Sequence, residues 1–243
     1  MHEITRYVEE FVERDMPGSG RFLWHDCYRY FGRPSAGDNE RAINELHSLL
    51  VSWGMYRGNS FLAKKDKWGH QEIVKIVRDP EFVKLREDCA KIGTAKSDAK
   101  TIEKTLLLYK KVEDAYRKIK CTAAETKAGL SKVTVSSGLV SKVMLGTVGC
   151  LPAFDDYAQK ALGGIKELRG WPSNLTDESK RKDRMERLWV FYRNNEAHFI
   201  KAVKRFDLTE RHCAYPPMKM MDMYLWGKGQ FLLKQEKDRA IKG

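Results

Sequence analysis

Residues 133–157, VTVSSGLVSKVMLGTVGCLPAFDDY, hold the side chains best arranged for chemistry. A turn of small residues, Ser136-Ser137-Gly138, feeds the N-terminus of an apolar helix. A tight Gly149-Cys150-Leu151-Pro152 connection then delivers two adjacent acids, Asp155 and Asp156, at the start of the next helix. Free N–H groups at a helix start bind phosphate, and small side chains let a nucleic-acid backbone come close. The acid at the start of the second helix lies just beyond that surface. The same acids also suit plain capping, because Asp is favoured at helix starts and complements the macrodipole. Asp156 is rotated by one residue and sits beside a like charge, so Asp155 is the candidate catalytic group.

Two further stretches combine the same residue types. In Trp53-Gly54-Met55-Tyr56-Arg57-Gly58-Asn59-Ser60, two glycines bracket Arg57, and Lys64-Lys65 follow one turn later. Arg57, Asn59, Ser60 and Lys64 suit phosphate contact, and Trp53 and Tyr56 suit the wall of a base pocket. The opposing reading packs Trp53 and Tyr56 into a helix corner, with Arg57 on a carbonyl. Residues 215–227, YPPMKMMDMYLWG, are apolar on several faces and read as core. Asp222 is the anomaly there, since a buried acid needs a partner or a purpose. A salt bridge within the core is one account of it; a second active-site acid, in a base pocket with Trp226, is the other.

Other chemistries find little support. His25, His47, His70, His198 and His212 lack metal-ligand spacing, so no metal site is expected. There is no GxxxxGK[ST] loop and no GxGxxG after a strand, which disfavours nucleotide hydrolysis and dinucleotide redox chemistry. No cofactor is expected. Five widely spaced cysteines without a CxxC pair argue against disulfides and structural zinc, and for neutral, buried thiols.

The elements that must position these residues are helical. Residues 3–14 place Ile4, Tyr7, Val8, Phe11 and Val12 on one stripe, and further helices are expected at about 21–31 and 39–53, the latter capped by Asp38. Beyond an irregular segment at 54–69, helices are expected at 70–79, 80–92, 97–120, 138–148, 152–168 (opened by Pro152), 176–206 and 216–237. Strand character is confined to residues 132–135. The expectation is an all-α fold of about ten helices in one domain spanning 1–243, or in two interleaved lobes, 1–95 plus 176–243 and 96–175. No apolar run reaches the ~18 residues of a membrane span, and the N-terminal residues lack the regions of a signal peptide, so a cytoplasmic protein is expected.

With 45 Lys and Arg against 33 Asp and Glu, the formal charge is +12, which favours a polyanionic partner, nucleic acid first. The basic residues cluster at Lys110, Lys111, Arg117, Lys118 and Lys120, and at Lys180, Arg181, Lys182, Arg184 and Arg187. Either cluster can equally be a solvated face.

Residues 133–157 resemble the helix-hairpin-helix DNA glycosylases, which carry a glycine-containing hairpin, a small-residue helix and an acid after a short turn. The resemblance implies that Ser137 and Gly138 end a hairpin gripping phosphate, that Ser141 is the hydroxyl residue opening its second helix, and that Asp155 is the catalytic aspartate, stabilising positive charge on the sugar as the base departs or orienting a water. Lys142 would help position the strand. The lysine of the bifunctional members falls at Val140, which implies simple hydrolysis rather than a lyase step unless Lys142 or Lys132 substitutes. The expected hairpin sequence Leu-Pro-Gly-x-Gly and an Fe–S cysteine cluster are absent. The implied partner is double-stranded DNA with a flipped base, and the implied activity is removal of an unusual or modified base, of the kind used in bacterial defence against phage. Two non-enzymatic readings stand beside it: a helical nucleic-acid-binding protein, such as a regulator or inhibitor, and a basic scaffold that recruits an acidic protein.

Overall fold

The computed structural model describes residues 2–15, 22–33, 38–58, 60–90, 99–119, 134–168, 178–204 and 214–242. Among them there are ten α-helices and no strand, so the fold is all-α. The helices are α1 (Glu3–Val12), α2 (Leu23–Phe31), α3 (Asn39–Ser52), α4 (Gln71–Val77), α5 (Pro80–Ala90), α6 (Ala99–Arg117), α7 (Ser137–Thr147), α8 (Asp156–Gly164), α9 (Glu178–Lys204) and α10 (Pro217–Lys242). Short 3-10 turns at Phe61–Lys64 and Lys67–His70 occupy the segment expected to be irregular. No helix is long and apolar enough to cross a membrane.

Local chemistry accounts for the boundaries that matter here. Asp38 caps α3 through its side chain, which accepts from the Arg41 amide at 2.9 Å. Ser136 caps α7 in the same way, on the Leu139 amide at 3.1 Å. Helix α7 stops at Gly149, whose φ of +74° is open to glycine without strain and whose amide bonds back to Met144 O. Pro152, expected to open a helix, does not do so: residues 152–155 are non-helical, and α8 begins only after Asp155. The amides of Ala153 and Phe154 are held there by side chains from elsewhere, which draws the backbone out of helical geometry. The only described part of the expected strand, Thr134 and Val135, is not a strand.

Helix α7 is almost wholly buried and lies against α2, α3 and α6. Helix α8 packs along α10, and α1 packs on both α9 and α10. The approach of α10 to α8 depends on Gly229, where a Cβ would collide with the Tyr157 carbonyl oxygen. One contiguous apolar cluster runs from Ile4 on α1 to Leu225 on α10 and takes in residues from every helix. Trp24 anchors its centre: it is fully buried, stacked on Tyr28, and donates its indole N–H to Leu145 O at 3.0 Å. The first half of α10, Met218 to Leu225, is buried on all sides, as its methionine-rich sequence predicts.

Candidate functional site

Asp155 stands at the junction of two clefts. The first, about 650 Å³, is lined by aromatic residues Phe11, Trp53, Tyr157 and Trp226 and by Arg57, Lys142, Asp155, Lys219 and Asp222. Its volume lies within the ~300–1,000 Å³ usual for small-molecule sites. The second, about 500 Å³, runs along Ser136, Ser137 and Gly138 at the start of α7, with Tyr109, Glu113, Arg117 and Gln159. Lys142, Asp155 and Asp156 line both.

The turn bearing Asp155 is fixed from two sides. Ser141 on α7, fully buried, donates its hydroxyl to Gly138 O at 3.2 Å and accepts from the Phe154 amide at 2.9 Å. Asp222 on α10 accepts from the Ala153 amide at 3.1 Å. Gly138 adds a steric requirement, because a Cβ there would come within 3.3 Å of Phe154 O. Asp155 Oδ1 caps α8, accepting from the Ala158 amide at 3.0 Å, and Oδ2 has no hydrogen-bond partner among the described residues. Capping therefore occupies one oxygen and leaves the other for a second role. Burial pushes the Asp155 carboxyl above its ordinary value, and the nearby Asp222 charge adds to this.

The fixing of this turn makes a prediction. Ser141→Ala leaves the buried Phe154 amide unpaired, so a loss of about 1–3 kcal/mol is expected in denaturant unfolding. A change below about 0.5 kcal/mol would mean that Ser141 does not hold the turn.

The floor of the first cleft carries buried charge. Lys219 is only 2% exposed, donates to Asp222 Oδ2 at 2.9 Å, and lies 4.8 Å from the Phe11 ring and 5.3 Å from that of Trp53. Lys142 is 9% exposed and donates to Trp53 O at 2.9 Å. Burial lowers its amine below the ordinary lysine value, against the opposing pull of Asp155 and Asp222. Trp226 meets Phe11 and Tyr157 edge-on at 5.5 and 5.7 Å.

Of the residues singled out in the sequence, Trp53, Arg57, Lys142, Asp155, Asp222 and Trp226 share the aromatic cleft, and Ser137 and Gly138 lie on the second. Lys142 faces into both clefts rather than standing on an outer helix face. Tyr56 turns away: its hydroxyl bridges His47 Nδ1 at 2.9 Å and His70 Nε2 at 2.6 Å, and His70 continues to Tyr116 at 2.9 Å. Burial lowers His70 to about 3, so this chain is a neutral structural network. Ser60 caps the first 3-10 turn through the Leu62 amide, and Lys64 is exposed on that turn; neither lines the cleft. Asn59 lies outside the described residues.

Lys219 was not anticipated. Its position three residues before Asp222 is the signal that could have found it, since i and i+3 share a helix face.

The basic clusters are less free than their sequence suggests. Arg181 and Arg184 are buried at 8% and 7% exposure, with Arg181 beside Glu113 at 3.7 Å and over the Tyr109 ring at 4.7 Å. Lys182 lies 3.7 Å from Glu103, and Arg187 pairs with Asp183. Arg117 pairs with Glu113 at 2.8 Å and also lines the second cleft. Lys120 lies outside the described residues. Cys27, Cys89 and Cys150 are buried, and burial raises the Cys27 thiol and holds that of Cys150 up at about 12, so neither Cys27 nor Cys150 is an activated nucleophile. Cys121 and Cys213 fall outside the described residues. Among the described residues no group of three His, Cys, Asp or Glu side chains is placed to hold a metal ion.

No protein-family model, curated protein or solved structure matches this chain.

Proposed function

We propose that this chain is a monofunctional DNA glycosylase, hydrolysing the N-glycosidic bond of an unusual or modified base flipped out of a duplex. The observation that carries the reading is Asp155: a half-buried carboxylate with one free oxygen, between an aromatic cleft and a cleft edged by a helix N-terminus.

In this reading the flipped base enters between Phe11, Trp53, Tyr157 and Trp226, whose rings supply stacking surface. The sugar lies at Asp155. The flanking phosphate meets the amides of Ser137 and Gly138, with Arg117 and Arg57 at the two rims. As the bond between C1′ and the base nitrogen breaks, the electron pair leaves with the base and C1′ becomes cationic. The Asp155 carboxylate stabilises that cation. Water then adds to C1′, passing a proton to Asp155 and from there to solvent, while the departing base takes up a proton. The products are a free base and an abasic sugar.

Duplexes carrying single modified bases test this directly. Incubation with the purified protein is expected to create abasic sites that break in alkali. Binding is expected to weaken with salt, with a log–log slope of about −0.9 for each phosphate contacted. Salt-dependent binding with no base release across a broad panel would make the chain a nucleic-acid-binding module instead, as its +12 charge alone would allow. Absence of any DNA binding at low salt would refute both.

A further inference from the structure

The floor of the aromatic cleft offers more hydrogen-bond donors than acceptors. The Lys219 ammonium makes one hydrogen bond, to Asp222, and its other two N–H groups have no hydrogen-bond partner among the described residues. Lys142 likewise makes one bond, to Trp53 O, and keeps two N–H groups. Both side chains are at least nine-tenths buried, and both line the cleft. Asp222, the acceptor beside Lys219, is engaged at both oxygens, Oδ1 by the Ala153 amide and Oδ2 by Lys219, and the open Oδ2 of Asp155 is the one assigned to the sugar. The Phe11 and Trp53 rings hold the Lys219 charge in place without supplying it a lone pair.

From this we infer, resting on the glycosylase reading, that the cleft selects oxo bases, whose edges present carbonyl oxygens, over amino bases, with Lys219 as the specificity-determining residue. An amino edge brings N–H groups against Lys219 and meets like with like. A carbonyl edge receives charge-assisted hydrogen bonds from side chains that are themselves buried, where leaving a donor unpaired is costly. The same contact aids departure, because the electron pair that leaves C1′ with an oxo base spreads onto the oxygen facing Lys219. Asp155 then faces the positive sugar while Lys219 faces the negative base.

Trp53 and Trp226 line the cleft and provide the readout. Their fluorescence is to be followed in the unmodified protein during titration with free uracil against cytosine, and free xanthine against adenine. The oxo member of each pair is expected to bind at least ~10-fold more tightly, the scale of one charge-assisted hydrogen bond. Lys219→Met, close in volume and without N–H groups, is expected to bring the pairs to parity. Equal or tighter binding of the amino bases, no binding of any of the four, or a preference that survives in Lys219→Met would overturn the inference. The comparison of the four bases needs no variant, so it holds even if Lys219→Met folds poorly. Duplexes carrying uracil or a deaminated purine separate the two proposals. Oxo-base binding without base release refutes the hydrolysis and leaves the selectivity standing, whereas release of amino and oxo bases at equal rates refutes the selectivity alone.

Discussion

Asp155→Asn is expected to reduce base release by ~10²–10⁴-fold, the range for a positioned charged group acting on a transition state, while leaving the folded protein at least as stable at neutral pH. The two halves of this expectation come from the same geometry. The Ala158 amide needs only an acceptor, and Asn caps a helix about as well as Asp. What Asn lacks is the charge on the free oxygen, which faces the site of the developing sugar cation. Burial and Asp222 together hold the Asp155 carboxyl above its ordinary value, so within the fold the charged form is disfavoured on balance. The folded state therefore binds the Asp155 proton more tightly than the unfolded chain does. Stability from this group is present below the unfolded value near 3.8, declines as pH rises to the raised folded value, and stays lost above it. Asn removes that loss. Denaturation midpoints should show Asp155→Asn equal to or above the parent at pH 7, with any advantage shrinking as the pH approaches 3.8. Activity of the parent should follow the opposite course, falling as acid protonates Asp155 at a pH above the ordinary aspartate value. Full base release by Asp155→Asn would remove Asp155 from the mechanism.

How far the sequence reveals this site depends on whether a signal is local. The cap at Asp38, the small-residue start of α7 and the placing of Asp155 at a helix start all lie within four residues of their partners, and each is legible. Residues 152–155 are not: they stay out of helical geometry because Asp222, 69 positions away, and Ser141 take two of their amides. The cationic run at 180–187 reads as a surface stripe, yet Arg181 turns inward to Glu113 and Tyr109 on α6. Tyr56 looks like a pocket wall in its own loop, but His47 on α3 and His70 at the end of the second 3-10 turn claim its hydroxyl. Residues 218–225 carry no amphipathic contrast, since the helix is buried all round, so beyond its i, i+3 spacing from Asp222 nothing in the pattern shows which way Lys219 points.

The ion pair on that helix supports the second large expectation. Asp222→Ala should destabilise the protein by about 3–5 kcal/mol, because it leaves the Lys219 charge buried against Phe11, Trp24 and Trp53 without its carboxylate. The same change strands the Ala153 amide. The loss reflects the uncompensated charge rather than the net worth of the pair, and a double variant can tell these apart. In Lys219→Met with Asp222→Leu the charge of the pair is gone and the volume is kept, so the Ala153 amide is left unsatisfied at about 1–3 kcal/mol, and the buried Asp15 keeps His25 and Tyr215 but loses the nearby Lys219 charge. Denaturant titration of both variants gives the comparison, provided their m values match the parent's. A single variant no less stable than the double would mean that Lys219 reaches water or another acceptor when Asp222 is removed, and that it is not confined to the cleft floor. Asp222→Asn then links the pair to the chemistry. It keeps an acceptor for Ala153 but removes the negative charge that helps hold Asp155 above its ordinary value. Ionisation of Asp155 becomes easier, so the acidic limb of the pH–rate profile should move to lower pH. A limb that stays in place would show that Asp222 reaches Asp155 only through the backbone it fixes, as an anchor for the turn and not as a charge.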